Sequence, residues 1–91
     1  MNEDIIIMTL RGGYIAKVVE EYMIENLLIV KDIQKEFKSM DFRKICLDHC
    51  NVNGIETTMD DLKIIFDDSF NFHNFIVKVA YQVTDERNVL N

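Results

Sequence analysis

Two stretches near the ends of the chain carry apolar side chains in patterns that suit extended backbone, and the residues between them repeat mostly at helical spacing. Residues 4–10 (DIIIMTL) form a short β-branched apolar run, closed by Arg11-Gly12-Gly13. Such a run reads as a strand covered on both faces, with the two glycines permitting a sharp turn after it. From Tyr14 the period changes. Tyr14, Ile15, Val18, Val19, Tyr22 and Met23 fall on one side of a helix, with Lys17, Glu20, Glu21 and Glu25 between them.

The stripe continues through Leu27, Val30, Ile33 or Gln34, and Phe37, which extends the helix to about Lys38. Leu27-Leu28-Ile29-Val30 equally suits a buried strand, and periodicity alone does not separate the two over four residues. A second helix is expected from Asp41 as its cap, with Phe42, Ile45, Cys46, His49 and Cys50 on its apolar face and Asn51-Val52-Asn53-Gly54 as its stop. Thr58 followed three residues later by Asp61 resembles a capping box, and Met59, Leu62, Ile65 and Phe66 supply a third helical face. A hairpin of 55–59 and 62–66 about Asp60-Asp61 competes with this helix; the cap and the acidic first turn favour the helix.

Residues 75–84 (FIVKVAYQVT) give the clearest alternation in the chain. Phe75, Val77, Val79, Tyr81 and Val83 would face one way, with Ile76, Lys78, Ala80, Gln82 and Thr84 facing the other. The expected fold is therefore α+β: a small antiparallel sheet of strands 4–10 and 75–84, with room for a third, packed against two or three helices. Ninety-one residues without a repeat or a Gly/Pro/Ser linker predict a single domain over 1–91.

Composition narrows the functional classes. The chain is 48% hydrophobic and 29% charged, which suits a folded domain rather than a disordered one. No run approaches the ~18 apolar residues that a membrane helix needs. The acidic start Met1-Asn2-Glu3-Asp4 does not resemble a secretory signal, so a reducing cytoplasm is the expected compartment. Ile, Asn, Lys, Phe and Tyr dominate over Gly, Ala, Arg and Pro, a skew that AT-rich coding imposes and that suits a phage or mobile-element source.

The formal charge is −6, and it is uneven. Within residues 48–68, Asp48, Glu56, Asp60, Asp61, Asp67 and Asp68 stand against Lys63 alone. Such a surface repels phosphates, which excludes direct nucleic-acid binding, and attracts a basic protein. Carboxylates on a rigid element can occupy the positions of phosphates in a basic groove. The expected function is therefore an inhibitor or regulator of a nucleic-acid-handling protein, such as a nuclease or a CRISPR effector. The alternative is an oligomer-forming structural protein, a homodimer in the simplest case, joined through strand 75–84.

Catalytic and metal-binding patterns are weaker. Cys46, His49 and Cys50, with His73 downstream, carry the donor types that zinc prefers. No C-x₂-C pair is present, however, and three of the four lie on the apolar stripe, where cysteine serves as a small hydrophobe. Neither a metal nor another cofactor is expected. Ser39 and Ser69 lack a glycine elbow, and a Cys46/His73 or Cys50/His73 dyad has only the residue types in its favour.

Three further outlines break down on inspection. Asp67-x-Ser69-x-Asn71-x-His73 begins like a calcium loop, but Phe72 stands where glycine makes the turn and Lys78 where a bidentate Glu is needed. Residues 11–16 resemble the phosphate-holding turn of GNAT-type acetyltransferases, with Tyr14 in place of the first required glycine. Residues 42–66 have the outline of a helix-turn-helix, whose second helix would carry Asp60 and Asp61 towards DNA.

Overall fold

A computed structural model of the chain describes the backbone of residues 2–90 and the side chains of residues 3–86. Among the described residues every regular element is helical: α1 (Asn2–Asn26), α2 (Val30–Glu36), α3 (Met40–Val52), α4 (Met59–Lys63) running into a wide π-helical turn (Ile64–Asp68), and α5 (Phe70–Leu90). The expected α+β fold is overturned. Residues 4–10 are the first turns of α1, and residues 75–84 lie inside α5.

The physical reason is visible in which side chains are buried. In α5, Ile76, Ala80 and Val83 reach the core while Phe75 and Tyr81 stay exposed, which is helical rather than alternating spacing. In the first turns of α1, Ile5 and Ile6 are 65% and 57% exposed, so no strand partner covers that run. Gly12 and Gly13 are interior residues of α1 rather than a turn. With strand 75–84 gone, the strand-paired oligomer loses its basis.

The ends of the helices follow local chemistry. α1 stops at Leu27, which adopts φ 55, and the Leu28 amide donates back to the Met23 carbonyl at 2.9 Å. That 6→1 bond is a Schellman closure built on a residue other than glycine. The anticipated continuous helix to Lys38 is therefore broken at 27–29, and α2 starts afresh with the Asp32 carboxylate accepting from the Ile29 amide at 3.2 Å. The cap of α3 is Ser39 rather than Asp41: its Oγ accepts from the Phe42 amide at 3.3 Å. At the other end of α3, Gly54 takes φ 85 while the Ile55 amide donates to the Cys50 carbonyl, a glycine Schellman stop where the sequence placed it. Thr58 and Asp61 form the reciprocal capping box, with the Thr58 amide donating to Asp61 Oδ2 at 2.8 Å and the Asp61 amide donating to Thr58 Oγ1 at 3.3 Å. Ser69 Oγ accepts from the Phe72 amide to start α5.

α1 packs against both α3 and α5, and α5 in turn against α2 and the 64–68 turn. It runs antiparallel to α3, since Tyr14 meets His49 edge-on at 5.7 Å while Tyr22 meets Phe42 at 5.2 Å. It meets α5 closely at Gly12, where an added Cβ would lie 2.8 Å from Phe72 Cε1. Ile15, Val19 and Met23 of α1 are fully buried with Ile33, Cys46, Cys50, Leu62, Ile65, Ile76 and Ala80. At one end of this core Phe37, Phe42 and Phe66 form an aromatic cluster, with the His73 ring edge-on to Phe37 at 5.9 Å.

Arg43, on the same side of α3 as Phe42, is only 8% exposed. Its Nε donates to the Phe37 carbonyl at 2.7 Å, and its two terminal nitrogens donate to Asp67 at 3.0 and 2.7 Å. The guanidinium also lies 5.2 Å from the centre of the Phe66 ring. Three of its five N–H donors are thus used, one from each nitrogen, which allows a cation to sit under the aromatic cluster.

Candidate functional site

The six carboxylates expected to form one surface have different surroundings. Asp67 is held by the bidentate pair from Arg43, whose hydrogen bonds keep its carboxyl below the usual 3.8. Asp61 caps α4 and lies 3.3 Å from the Arg11 guanidinium, which also donates to the Glu56 carbonyl and Thr57 Oγ1. Glu56 and Asp61 line one hollow together with Arg11, so this part of the surface carries its own cation. Asp60 and Asp68 are exposed. Asp48 stands elsewhere, on the outer edge of α3 facing α1.

Around Asp48 the structure brings together residues that the spacing of acids in 48–68 did not suggest. The seam between α1 and α3 is an open groove of two adjoining hollows. One, about 400 Å³, is lined by Val18, Glu21, Tyr22 and Glu25 of α1 and by Ile45, Asp48, His49 and Val52 of α3. The other, about 520 Å³, continues past Lys17, Tyr14, Gly13 and Leu10, and shares Glu21 and His49 with the first, so the groove holds one lysine beside its carboxylates. Among the described residues only Asp61 and Asp67 have an ion-pair partner, so Glu21, Glu25 and Asp48 rim this groove without a cation within 4.0 Å.

Sequence reasoning had placed Glu21 and Glu25 on the solvated face of a helix. One signal was available: carboxylates four residues apart lie one above the other on a helix and repel, so their pairing costs a few tenths of a kcal/mol unless something cationic meets them. Their neighbour Asp48 could not be found without the antiparallel register of α1 and α3.

The zinc-type residues are drawn into the interior instead of towards one another. Cys46 and Cys50 are free, fully buried thiols one helical turn apart. Burial pushes the Cys46 thiol up to about 12, with Cys50 beside it adding to the rise, and burial raises Cys50 as well. His49 packs against Tyr14, and His73 against Phe37. No three His, Cys, Asp or Glu side chains among the described residues converge in a way that could hold a metal ion.

The residual motifs dissolve for the same structural reason. Residues 11–16 continue a helix, so no phosphate-binding turn exists there, and the calcium-loop pattern runs from the π-helical turn straight into α5. α3 and α4 do follow one another across Gly54, but α4 is only five residues long before the wide turn begins. No helix among the described residues is long and apolar enough to cross a membrane. Comparison with family models, curated proteins and solved structures finds no match to this chain.

Proposed function

We propose that this chain is a binding domain rather than a catalyst, and that it docks on a partner protein with a basic surface. In this reading it acts as an inhibitor or regulator of a nucleic-acid-handling protein of the kind met by phage and mobile-element proteins, inside the cytoplasm of the host cell. The observation that carries it is the distribution of unpaired negative charge. Two carboxylates are paired with arginine, while Glu21, Glu25 and Asp48 outnumber Lys17 on one groove and form no ion pair with it, and Asp60 and Asp68 project into solvent.

A surface of this kind gains affinity chiefly from Lys and Arg on the partner, and it speeds encounter with them at low salt. The side chains able to do covalent chemistry support the same reading. Cys46 and Cys50 are buried and their thiols are raised away from the reactive thiolate.

The test is capture of interacting proteins on the immobilised chain from extracts of candidate host cells, followed by elution in a salt gradient and identification of what elutes. A basic nucleic-acid-handling protein that releases as the Debye length shrinks below ~10 Å, and that is not retained by a chain with Asp48, Glu21, Asp60 and Asp68 reversed to Lys, is the expected result. Retention of the same partner by the charge-reversed chain through high salt would remove the basis of the proposal.

A further inference from the structure

The proposed reading leaves open which part of the acidic surface does the binding, and resting on that reading we infer that the α1–α3 groove is the docking site and that its occupant is a basic amphipathic helix of the partner. The shape comes first. From Leu10 to Asn26 the two hollows follow α1 continuously, and at ~1.5 Å per residue this is about 24 Å, the length of a helix of some four to five turns. An extended strand would find no sheet edge to pair with, since the groove walls are two helices whose backbone hydrogen bonds are internal.

The lining then sets the chemistry. Tyr22 and Val18 form an apolar floor with Ile45 and Val52, and Val52 is 85% exposed although it belongs to a regular helix. Glu21, Glu25 and Asp48 stand over that floor. Apolar residues repeating at i, i+3, i+4 and i+7 would cover the floor, and Lys or Arg on the flanks of the same helix would meet the three carboxylates. A polyanion is repelled by this rim. A second copy of the chain is a poorer match: the exposed apolar residues of its α5, Phe70, Phe75 and Tyr81, have only Lys78 as a lysine or arginine between them to meet three carboxylates.

A separate observation comes from Gly13. Glycine inside a helix costs ~1 kcal/mol relative to alanine and persists where something must come close. Gly12 is explained within the chain, because a Cβ there would strike the Phe72 ring. Gly13 is not: an added Cβ meets nothing within 4 Å. It lies in the wall of the second hollow, and also in that of a smaller hollow shared with Phe72 and Phe75 of α5; on the groove side the lack of a side chain lets a partner helix approach the α1 backbone.

The experiment titrates isotope-labelled full-length chain with a synthetic peptide of about 16 residues, Leu at helical spacing and Lys elsewhere, and follows amide shifts with calorimetry in parallel. Saturable 1:1 binding with shifts concentrated in residues 10–26 and 45–53 is expected. The double variant Glu21→Lys, Asp48→Lys should weaken binding by about tenfold or more. Gly13→Leu, which fills the groove without entering the core, should do the same while leaving the thermal melt near that of the parent; Gly13→Gln serves should the leucine variant associate.

Shifts concentrated at residues 56–68, undiminished in the double variant, would refute the groove while leaving a basic partner in place. Equal binding of a Leu/Glu peptide, or no saturable binding of the Leu/Lys peptide, would remove both. Groove resonances that move on diluting the free chain would overturn the partner helix in favour of self-association.

Discussion

Gly12 and Gly13 are consecutive residues of one helix, share one intrinsic helix propensity and face different surroundings, so the same substitution at each isolates packing from propensity. Alanine in place of glycine inside a helix stabilises by ~1 kcal/mol when nothing else changes. At Gly13 nothing else changes, because the new methyl meets no atom within 4 Å. At Gly12 the methyl would arrive 2.8 Å from Phe72 Cε1 and 3.0 Å from Cδ1, two atoms on one edge of a partly buried ring. The ring must tip or α5 must move away, and overpacking of this sort costs ~1–3 kcal/mol. Unfolding entropy of ~2.1 cal/mol/K per residue gives roughly 190 cal/mol/K for this chain, so 1 kcal/mol corresponds to about 5 °C in Tm. Gly13→Ala is therefore expected to melt about 5 °C above the parent, and Gly12→Ala at the parent value or up to about 10 °C below it. Calorimetry or far-ultraviolet circular dichroism reads both directly. A Gly12→Ala variant that gains as much as Gly13→Ala would refute the close approach of α1 and α5 at Phe72.

Four other sets of outcomes follow from named residues. Arg43→Met removes the donors to Phe37 and Asp67 and should cost about 2–4 kcal/mol by denaturant titration, the upper end softened because the Asp67 side chain is 39% exposed and can rehydrate. Since Asp67 is held below 3.8, the unfolded chain takes up its proton first as pH falls, so this pair stabilises above that value and its contribution is lost below it; Asp67→Asn should flatten that part of the acid limb. Cys46 and Cys50 should resist a thiol reagent at pH 8 in the native chain and react on unfolding. Because both are raised from 9.0, stability should fall from about pH 9 towards the Cys46 value of about 12, a slope that a Cys46→Ala, Cys50→Ala variant would lose. Leu27→Gly should stabilise by up to ~1 kcal/mol, since φ 55 suits glycine and the 77% exposed leucine contributes little packing; no gain would argue against the left-handed closure of α1.

The middle of the fold was legible because its signals are local. Thr58 with Asp61, and Asn53 with Gly54, specify helix ends through hydrogen bonds made within a few residues, and both do so here. The two ends of the chain misled for a different reason. Residues 75–84 satisfy both a period of two and the helical set Ile76, Ala80, Val83, and burial of the helical set in the common core favours the helix. In residues 4–10 the β-branched side chains lower helix propensity by a few tenths of a kcal/mol each, which tertiary burial of Ile15, Val18 and Val19 further along α1 outweighs. The acidic surface was half legible: the count of carboxylates in 48–68 was plain, but the pairing of Asp61 with Arg11 and of Asp67 with Arg43 depends on contacts 50 and 24 residues apart in sequence. The groove carboxylates Glu21 and Glu25 could not be joined to Asp48 until α1 and α3 were laid side by side.

The segment between Gly54 and Asp68 holds one five-residue helix and one wide turn, both too short to persist alone in water. Leu62, Ile65 and Phe66 seat it in the core, and two guanidinium latches, Arg11 from α1 and Arg43 from α3, fasten it near its two ends. Its amide hydrogens should then exchange through a local opening that leaves α1 intact, and added salt should hasten that exchange by loosening the latches before it touches the rest of the domain.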